Sequence, residues 1–112
     1  MSTAVAKILS SLRDTGGLQG KDIANIVAVS PATVSRWFSG KASPDLHTQT
    51  KIAELRYVVY RLAEFYTADE TRLWLHTPHP MLEGKRAIDL INAGKTEAVL
   101  AAIDALDAGA YT

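Results

Sequence analysis

Apolar positions recur at helical spacing along almost the whole chain. Val5, Ile8, Leu9 and Leu12 fall at i, i+3, i+4 and i+7, and Gly16-Gly17 closes that run. Ile23, Ala24 and Val27 share a second helical face, and Val34 and Trp37 a third. A long pattern from Leu46 to Phe65 carries a stripe of Ile52, Leu55, Val59, Leu62 and Tyr66. Tyr57, Val58 and Tyr60 widen it, which predicts apolar neighbours on two sides of that helix. Further on, Thr67-Ala68-Asp69-Glu70 reads as a capping box before a helix with Leu73, Trp74 and Leu75 that stops short of Pro78. His79-Pro80 predicts an extended turn. Two last helices are expected, about 85–93 with Ile88, Leu90 and Ile91, and about 96–108 with Val99, Leu100, Ile103 and Leu106. Alternating strand patterns are nearly absent, so the expected fold is all-α.

The run LQGKDIANIVAVSPATVSRWFSG, residues 18–40, has the form of a helix-turn-helix. Ala28-Val29-Ser30 is the turn, Ser30 a good N-cap, and Pro31 suits the first helical position, where its missing N–H costs nothing. With Val34 and Trp37 facing inward, Ala32, Thr33, Ser35 and Arg36 face outward near the helix start, where a recognition helix meets base edges. Ser30 joins them as the cap of that helix. Arg36 suits guanine O6 and N7, and Lys41 just beyond suits a phosphate. Ala28 stands where many such turns place glycine, which is tolerable only if its φ stays negative.

Composition narrows the reading. With 112 residues the chain is one domain or two small lobes sharing a core, and such lengths bury roughly 60–70% of the unfolded surface. The segments are expected at 1–45 (helix-turn-helix lobe), 46–66 (linking helix) and 67–112 (second lobe). There is no cysteine, hence no disulfide or thiolate metal site. No apolar run approaches the roughly 18 residues of a membrane span, and residues 1–17 lack a signal-peptide core, so a soluble cytoplasmic protein is expected.

Net charge is zero, yet unevenly spread. Residues 1–45 carry five basic side chains (Lys7, Arg13, Lys21, Arg36, Lys41) against three acidic (Asp14, Asp22, Asp45), while residues 78–112 carry three basic against five acidic. The first lobe leans towards nucleic acid, and so small an excess implies weak binding per subunit, improved by pairing half-sites in a homodimer. His76 and His79 invite a metal reading, but Pro78 breaks the helix that would align them and no third ligand has useful spacing. No cofactor is expected. No nucleophile–base pair or phosphate loop suggests an enzyme. Asp104 and Asp107 lie in the last turns of the final helix, where the macrodipole disfavours each by roughly 0.3–1 kcal/mol. They are either a tolerated surface pair or the match to a cationic partner surface.

The second half carries a more specific pattern: Trp74-Leu75, Pro78, Pro80, Leu82, Gly84, Asp89-Leu90, Gly94, Glu97, Val99 and Gly109-Ala110-Tyr111. It resembles the C-terminal toxin-binding domain of the Xre/MbcA/ParS antitoxin family, in which that domain follows an Xre-type helix-turn-helix, as here. Ala87 stands where the family commonly has proline, which loosens that helix start. The resemblance implies a RES-domain toxin that degrades NAD as partner. It also implies steric inhibition of that toxin and repression of the chain's own operon. On this reading Trp74, Leu75, Leu82, Lys85, Arg86, Asp104, Asp107, Gly109, Tyr111 and Thr112 face the toxin, and the tail after Gly109, with its aromatic and terminal carboxylate, lies over the NAD-binding cleft. The competing reading is a stand-alone Xre-type repressor whose second lobe only dimerises.

Overall fold

Several helix starts are set by side chains that satisfy first-turn amides. The computed structural model describes residues 3–109, and there the chain forms α1 (Thr3–Gly16), α2 (Gly20–Val27), α3 (Pro31–Phe38), α4 (Leu46–Leu62), α5 (Ala68–His76), a 3-10 turn (Pro80–Leu82), α6 (Ala87–Asn92) and α7 (Thr96–Asp107). Ser30 Oγ accepts the Thr33 amide at 3.2 Å and Asp45 Oδ1 the Thr48 amide at 2.8 Å, starting α3 and α4. At α5 the capping box closes both ways: Thr67 Oγ1 accepts from the Glu70 amide at 3.3 Å, and Glu70 Oε1 from the Thr67 amide at 2.8 Å. The fold is all-helical, as the periodicity predicts. Among the described residues no helix is long and apolar enough to cross a membrane.

Four details depart from expectation. Ala28, expected at negative φ, sits at φ 62°, ψ 48° in the left-handed region. It reverses the chain after α2, and the next amide, of Val29, returns to the Ala24 carbonyl at 2.9 Å. The long helix ends at Leu62 rather than Phe65, with the amides of Phe65 and Tyr66 both folding back on the Leu62 carbonyl. The expected helix at 85–93 begins two residues late, because Lys85 is held in an antiparallel bridge with His79. His79 is extended, as the following proline requires, but Pro80 then opens a 3-10 turn that the pattern did not signal.

One hydrophobic core serves all seven helices, drawing Leu9 and Leu12 from α1, Ile23 from α2, Val34 from α3, Leu55 and Val59 from α4, Leu75 from α5, Ile91 from α6 and Ile103 from α7. Helix α4 touches α1, α2, α6 and α7. Where α1 crosses α4 the approach is close enough that a Cβ on Gly16 would stand 3.0 Å from Val59. At Gly17, φ is +65° and a Cβ would stand 2.7 Å from the Ala68 carbonyl oxygen, so this glycine permits both the turn and the entry of α5. The expectation of two apolar neighbours along α4 holds for Val58, which is buried. It does not hold for Tyr57 and Tyr60, 49% and 65% exposed, whose rings stack on each other at 6.4 Å.

Candidate functional site

Helix α3 presents two chemically distinct faces. Val34 and Trp37 are buried against the core, while Ala32, Ser35 and Arg36 are exposed and Thr33 is half-buried. Ser30 is exposed, but its oxygen is committed to the N-cap and lies 2.9 Å from Thr33 Oγ1. Lys41 is exposed beyond the helix, its amide returning to the Arg36 carbonyl at 2.9 Å. Ala32, Ser35, Arg36 and Lys41 thus lie on and just beyond one helix with their side chains accessible. A contribution absent from the sequence reading is Arg13, whose guanidinium lies 5.5 Å over the Phe38 ring and steadies the end of α3 from α1.

The C-terminal lobe divides the expected toxin-facing residues. Leu75 is fully buried and Leu82 is 3% exposed, so both are corrected from partner contacts to core residues. The reason is rotation about the helix: Leu75 points inward from α5, and its near neighbour Leu73 is the one left outside, 67% exposed. Trp74 lies between these extremes, half-buried, with its ring 4.4 Å from that of His79. Together with Tyr66 and Leu73 they line an open apolar pocket of about 290 Å3. Lys85 is exposed. Arg86 is exposed but holds Asp89 with two hydrogen bonds of 2.8 and 3.0 Å, which pull the Asp89 carboxyl below its ordinary range. Gly109 closes α7 at φ 66°. Tyr111 and Thr112 lie outside the described residues.

Asp104 and Asp107 find a cation within the chain. Arg61 of α4 reaches Asp104 at 3.2 Å, Asp107 at 3.9 Å and Glu64 at 3.4 Å. The guanidinium also donates to Tyr57, and Tyr57 and Asp104 hold it further into its charged range. Arg61 offsets the unfavourable dipole at the end of α7 and ties that helix to α4. Both carboxylates remain exposed on their outer sides.

His76 and His79 are each tied to a backbone carbonyl, Nδ1 of His76 to Arg72 and Nε2 of His79 to Trp74, both at 2.8 Å. Among the described residues no group of three or more His, Cys, Asp or Glu side chains is placed to hold a metal ion.

The tie between the two halves escaped sequence reasoning. Asp22, buried at the start of α2, accepts the Gln19 amide at 2.9 Å and is gripped by Arg72 of α5 through Nε at 3.1 Å and Nη2 at 3.0 Å. His76 Nε2 stands 3.8 Å away. Burial pushes the Asp22 carboxyl up, but the bonds from Arg72 and Gln19 and the charges of Arg72 and His76 together bring it below the ordinary value of 3.8. Two further cross-ties, from the Asn92 amide to the Ile26 carbonyl and from Thr96 Oγ1 to Glu54 at 2.7 Å, have the same long-range character. No local signal in the sequence pairs Asp22 with a residue 50 positions away.

The molecule is therefore a helix-turn-helix protein with a second helical lobe built onto the same core. Residues 9–55 match the helix-turn-helix family, and residues 61–109 match the antitoxin Xre/MbcA/ParS C-terminal toxin-binding domain. The chain belongs to the Xre/MbcA/ParS antitoxin family, a family of antitoxins and not of enzymes. It is similar to the mycobacterial cidal antitoxin MbcA of Mycobacterium tuberculosis and Mycobacterium bovis, 33% identical over 107 residues, spanning 96% of this chain and 95% of the relative. A probable mycobacterial cidal antitoxin of M. tuberculosis is 30% identical over 95% of this chain and 90% of its own length. Among solved structures, the crystal structure of the M. tuberculosis MbcT–MbcA toxin–antitoxin complex contains a chain that superposes with TM-score 0.86 at 32% identity, covering 98% of this chain and 99% of that one.

Proposed function

We propose that this chain is the antitoxin of a two-protein toxin–antitoxin system, that its C-terminal lobe binds and sterically blocks a RES-domain NAD-degrading toxin, and that its helix-turn-helix binds the operator of its own operon. The observation that carries the reading is the likeness to MbcA across both lobes, in sequence and in fold, together with the seating of that relative in a complex with its toxin. Inhibition is by occlusion and requires no chemistry from this chain. Lys85, Arg86, Asp104 and Asp107 supply exposed contact groups and the half-buried Trp74 a fifth, and the tail after Gly109 is the part assigned to cover the toxin's dinucleotide cleft.

Operator binding rests on the accessible Ala32, Ser35 and Arg36 of α3 and on Lys41. A homodimer presents two such helices to successive turns of the major groove. The surface offered for that pairing is the outer stripe of α4, where Leu46 (78% exposed), Tyr57 and Tyr60 have no cover.

The test is co-purification. Affinity-tagged chain, expressed with the RES-domain protein encoded beside it, should retain that protein through washing. Deleting residues 109–112 should leave the two together yet restore NAD consumption. A chain that never retains the RES-domain protein supports the stand-alone repressor instead, and a truncated chain that silences the toxin completely removes the plugging role of the tail.

A further inference from the structure

The free positive charge of the C-terminal lobe converges on one cleft. Three cations lie between residues 78 and 109: Lys85, Arg86 and Lys95. Arg86 is consumed by Asp89. Lys85 and Lys95 are both exposed, make no ion pair among the described residues, and line the same cleft of about 360 Å3 between the 3-10 turn, α6 and α7. Apart from Glu83, the rest of the lining is apolar: Met81, 47% exposed, with Leu82, Leu90, Ala98 and Ala101. This is the reverse of the acidic character that Asp104 and Asp107 lend to the lobe, because Arg61 already answers those two carboxylates.

Lys85 is held at this place by a stiff turn. Glu83 and Gly84 are both left-handed, at φ 58° and 79°, and the amides of Glu83, Gly84 and Lys85 return to the carbonyls of Pro80, His79 and Leu82 at 3.0, 2.9 and 3.1 Å. A non-glycine residue kept in that conformation marks a turn fixed by its surroundings, so the ammonium group is presented from a preorganised base.

We propose that this cleft docks a carboxylate-bearing segment of the partner protein, an Asp or Glu flanked by an apolar residue, with Lys85 and Lys95 taking the carboxylate and the Leu82–Ala98 floor taking the apolar neighbour. The inference rests on the antitoxin reading and deepens it. The lining sets two lysines against the one carboxylate of Glu83, with Glu97 exposed nearby, a surplus that suits a single carboxylate and is too small for the polyanionic backbone of a nucleic acid.

The experiment measures the affinity of the full-length chain for the RES-domain protein of its operon by calorimetry, at about 0.15 M and about 0.5 M salt. The Lys85→Glu, Lys95→Glu double variant should bind about tenfold or more weakly at the lower salt and lose most of the salt dependence of the wild type. Its melting temperature should be unchanged, because both side chains are exposed. Equal affinity of wild type and variant overturns this inference and leaves the antitoxin reading intact. Failure of the wild type itself to bind overturns both. Self-association of the chain alone that the double variant abolishes assigns the cleft to a second copy and overturns the partner assignment.

Discussion

Ala28 holds a left-handed conformation in the turn between α2 and α3, where a β-carbon costs about 1–2 kcal/mol. Ala28→Gly removes that strain but adds unfolded-state freedom, so a net stabilisation of about 0.5–1 kcal/mol is expected, read as a higher denaturant midpoint at unchanged slope. Asp22 gives a second prediction. Its folded carboxyl lies below the ordinary 3.8, so the stability it contributes is complete above that value and is lost as pH falls through the lower folded value. Arg72→Ala should cost roughly 1–3 kcal/mol at neutral pH, less than a fully buried pair, since Arg72 is 40% exposed. The gap between variant and wild type should narrow in acid. A gap independent of pH would mean that Arg72 acts through packing alone. These residues also mark the limit of what the sequence discloses. Ser30 and Thr67 were legible as caps because their partners lie three residues away. Asp22 with Arg72 and Arg61 with Asp104 were not, because separations of 50 and 43 residues are settled only by how the helices pack.

Periodicity located every helix because each buries a face, and the buried faces of α1, α2, α3, α6 and α7 fall where the spacing predicts. It could not say which of two adjacent leucines on α5 turns inward, since Trp74 between them blurs the stripe; Leu75 does, and its candidacy as a contact is lost. Nor could it tell that Tyr57 and Tyr60 face solvent, because an aromatic widening of a stripe reads alike for a second intramolecular neighbour and for none. How closely helices approach is likewise invisible until they are packed. Gly17→Ala should cost roughly 2 kcal/mol or more, from left-handed strain and from the Ala68 carbonyl that its Cβ would strike. Gly40→Ala has the same sign of φ, 77°, but nothing within 4 Å, and should cost only the strain. Equal melting temperatures for the two variants would show that α1 and α5 can separate there without penalty.

At the scale of the whole molecule, the helix-turn-helix lobe and the C-terminal lobe share one core through α4. Arg36→Ala should weaken operator binding by roughly 1–3 kcal/mol with loss of discrimination between sequences, whereas Lys41→Ala should weaken all sequences alike and flatten the salt dependence. Equal operator affinity for Arg36→Ala and wild type at one fixed salt would remove α3 as the reading helix. Family membership was legible because the Trp74–Gly84 motif and the late glycines are local in sequence. The burial of Leu75 and Leu82 was not, because it depends on how α5 and the 3-10 turn pack. The most direct measurement is NAD consumption by the RES-domain toxin of the same operon, titrated with the purified chain. The account predicts that consumption falls to background near a fixed stoichiometric ratio, and that Arg36→Ala inhibits as well as wild type. Undiminished NAD consumption in the presence of excess folded chain would contradict it.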